Sequence, residues 1–266
     1  MKAKAVYDIL EEYFRPDQCT DVVKNGIQYD NAEEIEKVYT ATFAAEAVIN
    51  EILSRKEENI LLFTHHPLPQ RKAPDYKTSK ISRSLLMKMK ENKVSFFSYH
   101  IPLDRNGEYS PGNNLAKAMG IIPYDEFYFQ DNVFMGVLCN SSFTTAYEVK
   151  KRLEKLIGHR AKLYSYGETF LDGGRIAIMA GGASNPDIYE YLAGKGVNTF
   201  VTGVTNPQKA EWVSKIHEKA KQYGINLIGG THCSTEKFAC IAMTDFFRKM
   251  GLKAEFIDEE SDLYDL

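Results

Sequence analysis

The sequence predicts an α/β protein built as two similar lobes, on three observations. Short apolar runs alternate with segments of helical periodicity along most of the chain, which is the pattern of βαβ units. Of the 266 residues, 44% are hydrophobic and 12% aromatic, enough to build a core and contrary to disorder. Residues 38–104 and 176–236 also follow the same order of strand, helix and strand, each closing on a strand followed by a His and, four positions later, an acid. That pattern-level repeat reads as a structural duplication.

The elements follow in order. Residues 3–14 carry acids inside an apolar stretch, so they form an amphipathic helix rather than a secretion signal. Lys37 to Thr42 reads as a strand. Ala44 to Arg55 reads as a helix, with Ala45, Val48, Ile49 and Ile52 on one face. Asn59 to Thr64 is nearly all apolar, as expected of a strand covered on both faces. A helix over Ser79 to Glu91 and a strand over Val94 to Ser98 follow, then strand, helix (Thr144 to Gly158) and strand between about Phe127 and Gly173.

Arg175 to Ala180 is a strand leading into the turn GGASNP. Asn185 can cap the next helix with Pro186 in its first turn, where a missing N–H has no helical partner. That helix runs to Ala193 and ends at Gly194. Asn198 to Thr202 is a strand, Lys209 to Tyr223 a helix, Ile225 to Ile228 a strand and Thr235 to Met250 a helix, before the strand KAEFID and an acidic tail. The lobes are expected at 1–125 and 126–266, with the last helix free to pack back on the first lobe.

Net charge is −3, from 33 basic and 36 acidic residues. Lys is interleaved with Glu on solvated helix faces, which does not suggest nucleic-acid binding. No stretch approaches the roughly 20 apolar residues of a membrane helix. The cysteines, Cys19, Cys139, Cys233 and Cys240, are scattered and form no CxxC. A reducing, cytoplasmic setting fits them best.

Histidine carries the chemistry. There are six, and two are adjacent, His65 and His66, just past the end of a buried strand. In open α/β sheets that end faces the ligand crevice. His100 and Asp104 follow another strand. His232 and Glu236 follow a third, four apart at a helix start, which puts both on one helix face. Each pair alone also fits an ordinary turn or helix end. Together they offer four imidazoles and two carboxylates at one sheet end, an inventory suited to two divalent first-row ions. Such ions lower the pKa of bound water to about 7. His159 and His217, in Lys-rich stretches, read as surface residues. Gly181, Gly182 and Ser184, in the turn after the strand at 175–180, either cradle a phosphate with backbone N–H groups or simply connect strand to helix. The turn lacks the Walker lysine and the full dinucleotide fingerprint.

These motifs resemble the NIF-three-like family, whose members carry the name GTP cyclohydrolase I type 2 homologues. The likeness runs through NGIQYD, FTHHP, SYHIPLD with GNNLAKAMG, GGASNPDIYEYLAGKGVNTFVTG and GGTHCSTEKFA. It implies a dinuclear zinc, iron or manganese site in the cleft between the lobes. His65, His66, Asp104, His232 and Glu236 would be its ligands, and His100 would bind an ion or orient a ligand. A toroidal homohexamer is implied as well. The family commonly reads Thr-Gly-Glu where this chain has Thr202-Gly203-Val204, which separates metal binding from turnover.

The expected function is a metal-dependent hydrolase acting on a nucleotide or related small molecule. The family name points to opening of the purine imidazole ring of GTP with loss of formate, and His100 is the candidate proton carrier. Phosphoester hydrolysis is the alternative chemistry. A non-enzymatic metal-binding or regulatory scaffold is the alternative class, favoured by Val204 and the incomplete phosphate turn.

Overall fold

The structure, a computed structural model, describes residues 1–67 and 81–266. Ser79 and Lys80, the start of the helix expected over 79–91, lie outside the described residues. In chain order the elements are α1 (Ala3–Phe14), β1 (Gly26–Tyr29), β2 (Lys37–Phe43), α2 (Glu46–Ser54), β3 (Ile60–His66), α3 (Arg83–Glu91), β4 (Val94–Ser98), α4 (Ile101–Asp104) and α5 (Pro111–Met119). Then come β5 (Ile122–Gln130), β6 (Val133–Asn140), α6 (Ala146–Ile157), β7 (Lys162–Tyr164), β8 (Arg175–Ile178), α7 (Ile188–Gly194), β9 (Thr199–Thr202), α8 (Glu211–Gln222), β10 (Asn226–Gly229), α9 (His232–Lys249) and β11 (Lys253–Phe256). The α/β class is as the sequence predicts.

The chain divides into two compact units, Met1–Arg105 with Ala239–Glu260, and Asn106–Phe238 with Ser261–Leu266. The division falls after Arg105, where the sequence reading places it after residue 125, and residues 239–260 belong with the first unit.

The first unit holds a five-stranded sheet of order β1-β4-β3-β2-β11. Strands β2, β3, β4 and β11 are parallel and β1 is antiparallel at the edge. One face is covered by α2 and α3, through Ile49, Ile52, Leu85 and Met89 packed with Tyr39, Leu62 and Phe96. On the other face Tyr7 of α1 stacks on Phe97 at 5.6 Å, and Phe247 meets Phe63 edge-on at 5.5 Å. Coverage on both sides explains why β3 is apolar at nearly every position.

The second unit holds a six-stranded sheet of order β5-β6-β8-β9-β10-β7. Here β8, β9 and β10 are parallel, while β5, β6 and β7 run antiparallel to their neighbours. Leu115 and Met119 of α5 and Val149, Leu153 and Ile157 of α6 pack on Ile178, Val201 and Ile228. The internal repeat is explicit in strand order. β1-β4-β3-β2 in one unit matches β7-β10-β9-β8 in the other, each an antiparallel edge strand beside three parallel ones.

Some elements depart from expectation for physical reasons. β3 runs on through His66, because Phe43 in β2 continues the ladder opposite it. α7 starts at Ile188 rather than at Pro186, because the Asn185 side chain accepts the Asp187 N–H at 2.9 Å and makes a turn instead of a helix cap. α9 starts at His232, three residues earlier than predicted. His217 is buried, not on the surface. With Val213, Ile216 and Ala220 it forms the inward face of α8. Among the described residues no helix is long and apolar enough to cross a membrane.

Candidate metal centre

In the first unit His65 and His66 end β3, and both are fully buried. His65 Nδ1 lies 3.0 Å from the Tyr99 carbonyl oxygen. A carbonyl only accepts, so Nδ1 carries the proton and Nε2 keeps the lone pair a metal needs. That Nε2 is 3.3 Å from Asp104 Oδ1. Two ligands bound tetrahedrally at 2.0–2.1 Å stand about 3.3 Å apart, so the spacing suits a shared ion. The His66 ring stacks on Phe43, at 4.2 Å and 9°, and its centroid is 4.4 Å from that of His65.

His100 follows β4. Its ring centroid lies 5.5 Å from that of His65 and 5.2 Å from that of His66. The short helix α4, with Pro102 in its first turn, brings Asp104 back under it: Asp104 N donates to His100 O at 3.0 Å, and Asp104 Oδ2 is 3.9 Å from His100 Nε2. Asp104 therefore faces two imidazoles.

Sequence reading missed Asp21. Both its carboxylate oxygens lie 3.1 Å from His100 Nδ1, and it accepts from Ile101 N at 3.0 Å, Asn25 Nδ2 at 2.8 Å and Val23 N at 3.1 Å. Asn25 Oδ1 in turn accepts the His100 N–H at 2.8 Å. Burial alone would raise the Asp21 carboxyl, but these hydrogen bonds, the one with His100 first, hold it down at about 2. An anionic Asp21 fixes the proton of His100 on Nδ1 and turns Nε2 toward Asp104. The only signal in the sequence was an acid in the loop before NGIQYD.

The second unit builds its set around the start of α9. His232 Nε2 lies 3.0 Å from Glu236 Oε1, one helical turn on, and Glu236 is 3% exposed. Gly181, at φ +72°, lies against this pair, and a Cβ there would fall on the Glu236 carboxylate. Gly181 N donates to Thr235 Oγ1 at 2.9 Å, while Gly181 O accepts from Gly203 N at 2.9 Å and Val204 N at 3.2 Å. Gly203 is equally constrained, since a Cβ there would stand 2.6 Å from Gly181 O.

The N–H groups at the two ends of the Gly-rich turn are used internally. Gly181 N serves Thr235, and Asn185 N donates to the Tyr128 hydroxyl at 2.9 Å. Gly182 is partly exposed and faces the Trp212 ring. Val204 is buried. His65 and His66 in the first unit and Glu236 in the second are all buried side chains of metal-ligating type.

The profile of the family described as Duf34/NIF3 (NGG1p interacting factor 3) matches residues 1–262. The chain belongs to the DUF34/NIF3 family. Among its DUF34/NIF3 relatives, a "GTP cyclohydrolase 1 type 2 homolog" of Archaeoglobus fulgidus is 27% identical over 268 residues, covering 99% of this chain and 100% of that one. A relative of the same name from Borreliella burgdorferi is 26% identical, covering 90% of each. The fold is similar to that of TTHA1606 from Thermus thermophilus, with a TM-score of 0.77, 24% identity and coverage of 99% and 100%. It is also similar to reduced HcgD from Methanocaldococcus jannaschii, with a TM-score of 0.73, 24% identity and 97% of each chain covered.

Proposed function

We propose that this DUF34/NIF3 protein is a metal-dependent hydrolase acting on a nucleotide or related small molecule, with two divalent ions held by His65, His66, Asp104, His232 and Glu236. The observation that carries the reading is the pair of contacts that orient two first-unit imidazoles, His65 Nδ1 on the Tyr99 carbonyl and His100 Nδ1 on Asp21. A backbone carbonyl and a buried carboxylate each hold an Nδ1–H, so His65 and His100 both direct Nε2 toward Asp104. Ordinary turn histidines have no need of that arrangement. Zinc, iron or manganese suits a donor set of imidazoles and carboxylates. Bound divalent ions supply Lewis acidity and make water acidic near neutrality.

The chain's own groups would do the rest. His100, oriented by Asp21, either completes the ligand set or carries a proton at Nε2. Gly181, Gly182 and Ser184, with Gly182 beside the Trp212 ring, would meet substrate. The relatives' name favours a guanine nucleotide. The test is formate against inorganic phosphate released from GTP by protein loaded with each metal. Formate is expected, phosphate would support the phosphoesterase alternative, and neither would remove the hydrolase reading. Homohexameric assembly, also proposed, predicts a light-scattering mass six times that of the protomer.

Val204 favours one other reading, a metal-binding regulatory scaffold. It predicts stoichiometric metal without turnover, and that His66→Ala abolishes assembly or partner binding.

A further inference from the structure

The acidic tail is built into the second unit. Asp265 is 2% exposed. Its Oδ2 accepts the backbone N–H of His232 at 2.8 Å, and Oδ1 is paired with Lys209 Nζ. Its backbone carbonyl accepts Thr205 N at 2.7 Å and Asn206 N at 2.8 Å, just past the turn that follows β9. Ser261, at the start of the same segment, has its hydroxyl 2.5 Å from that of Ser234 in the first turn of α9.

Burying a carboxylate and an ammonium costs free energy, and such a pair is weak evidence of stability alone. What it contacts here is specific. The N–H groups of a helix's first turn have no intrahelical partners, and a carboxylate satisfies one and complements the dipole. The preceding residue, Thr231, is β-branched and held at φ +68°, a conformation that persists only where its surroundings over-determine it. That strained residue sets the direction in which α9 leaves β10, and hence where the His232 ring points.

We propose that Asp265 is a positioning residue for His232: anchored by Lys209, it fixes the first turn of α9 so that the imidazole is aimed before any ligand arrives. This rests on the proposed role of His232 as a metal ligand.

The test compares the full-length wild type with Asp265→Ala and Asp265→Asn. The probe is Co2+, read by competition with a chromogenic chelator and by its visible ligand-field spectrum, with melting of the metal-free proteins in parallel. Asp265→Ala is expected to weaken Co2+ binding by about tenfold or more, the scale of losing a partner that orients a ligand, and to alter the ligand-field bands. Asp265→Asn keeps an acceptor for the His232 N–H and should lose less affinity, with a smaller spectral change. A purely structural tail would lower the melting temperature in both variants and leave affinity and spectrum as in wild type, which overturns the proposal. If Asp265→Ala does not fold, an unchanged Co2+ spectrum in Asp265→Asn overturns it equally. Wild type that binds no Co2+ refutes the metal-site reading itself, and this inference falls with it. Wild type that binds beside an unaffected variant refutes this inference alone.

Discussion

With Nδ1 of His65 donating to the Tyr99 carbonyl, the ring's lone pair lies on Nε2, and that atom faces Asp104. The same logic holds His100 through Asp21. Asp21→Asn should therefore weaken Zn2+ or Mn2+ binding by about 10- to 100-fold, as loss of an outer partner does elsewhere; a competition titration giving wild-type affinity would contradict it. Gly181→Ala places a methyl group on the Glu236 carboxylate at a left-handed φ. It should cost at least about 1 kcal/mol of stability in urea melts and lower metal affinity, and an unchanged variant would refute the close approach. The six candidate ligands were read from an adjacent His pair at the end of one apolar strand and from a His–acid spacing that recurs after two others. Asp21 and Asp265 were not, since each meets its partner across a long stretch of chain and neither lies in a periodic pattern. His217 could have been found: its spacing from Val213, Ile216 and Ala220 marks a buried face, and Lys-rich neighbours obscured it.

At the scale of elements, the carboxyl end of β2 carries a second carboxylate. Glu259 Oε2 accepts Thr42 N at 2.8 Å and Phe43 N at 2.9 Å. Burial pushes this carboxyl up to about 7, against those two hydrogen bonds and with help from Asp258. In the unfolded chain it ionises near about 4.3. Its contribution to stability is thus whole below about pH 4 and is lost as pH rises to about 7, on the order of 3 kcal/mol in all. Glu259→Gln should remove that slope. Urea melts of metal-free protein from pH 4.5 to 8 check it, and parallel pH profiles for both proteins would contradict it. The central strands were legible because both faces are covered and the runs are apolar; β4 falls at the residues predicted. The edges were not. β5 begins at Ile122, well before the predicted Phe127, because its outward-facing Pro123, Asp125 and Glu126 dilute the strand signal. The four residues of β1 are too few to show an alternation.

For the molecule as a whole, the repeat visible in sequence is the repeat of strand order, and both units present their candidate ligands at or just after the carboxyl ends of parallel strands. That is where α/β sheets bind ligands. If metal binds the folded chain and not the unfolded one, removing it with a chelator should lower the melting temperature. The loss would be about 4 kcal/mol where free metal had stood a thousandfold above its dissociation constant. A calorimetric scan unchanged by chelation would contradict the coupling. The most direct measurement is anomalous scattering from crystals of metal-loaded protein, with the absorption edge identifying the element. The account predicts two divalent ions per chain, with ligands drawn from His65, His66, Asp104, His232 and Glu236. Crystals grown in excess metal whose anomalous peaks all lie away from those side chains would contradict it.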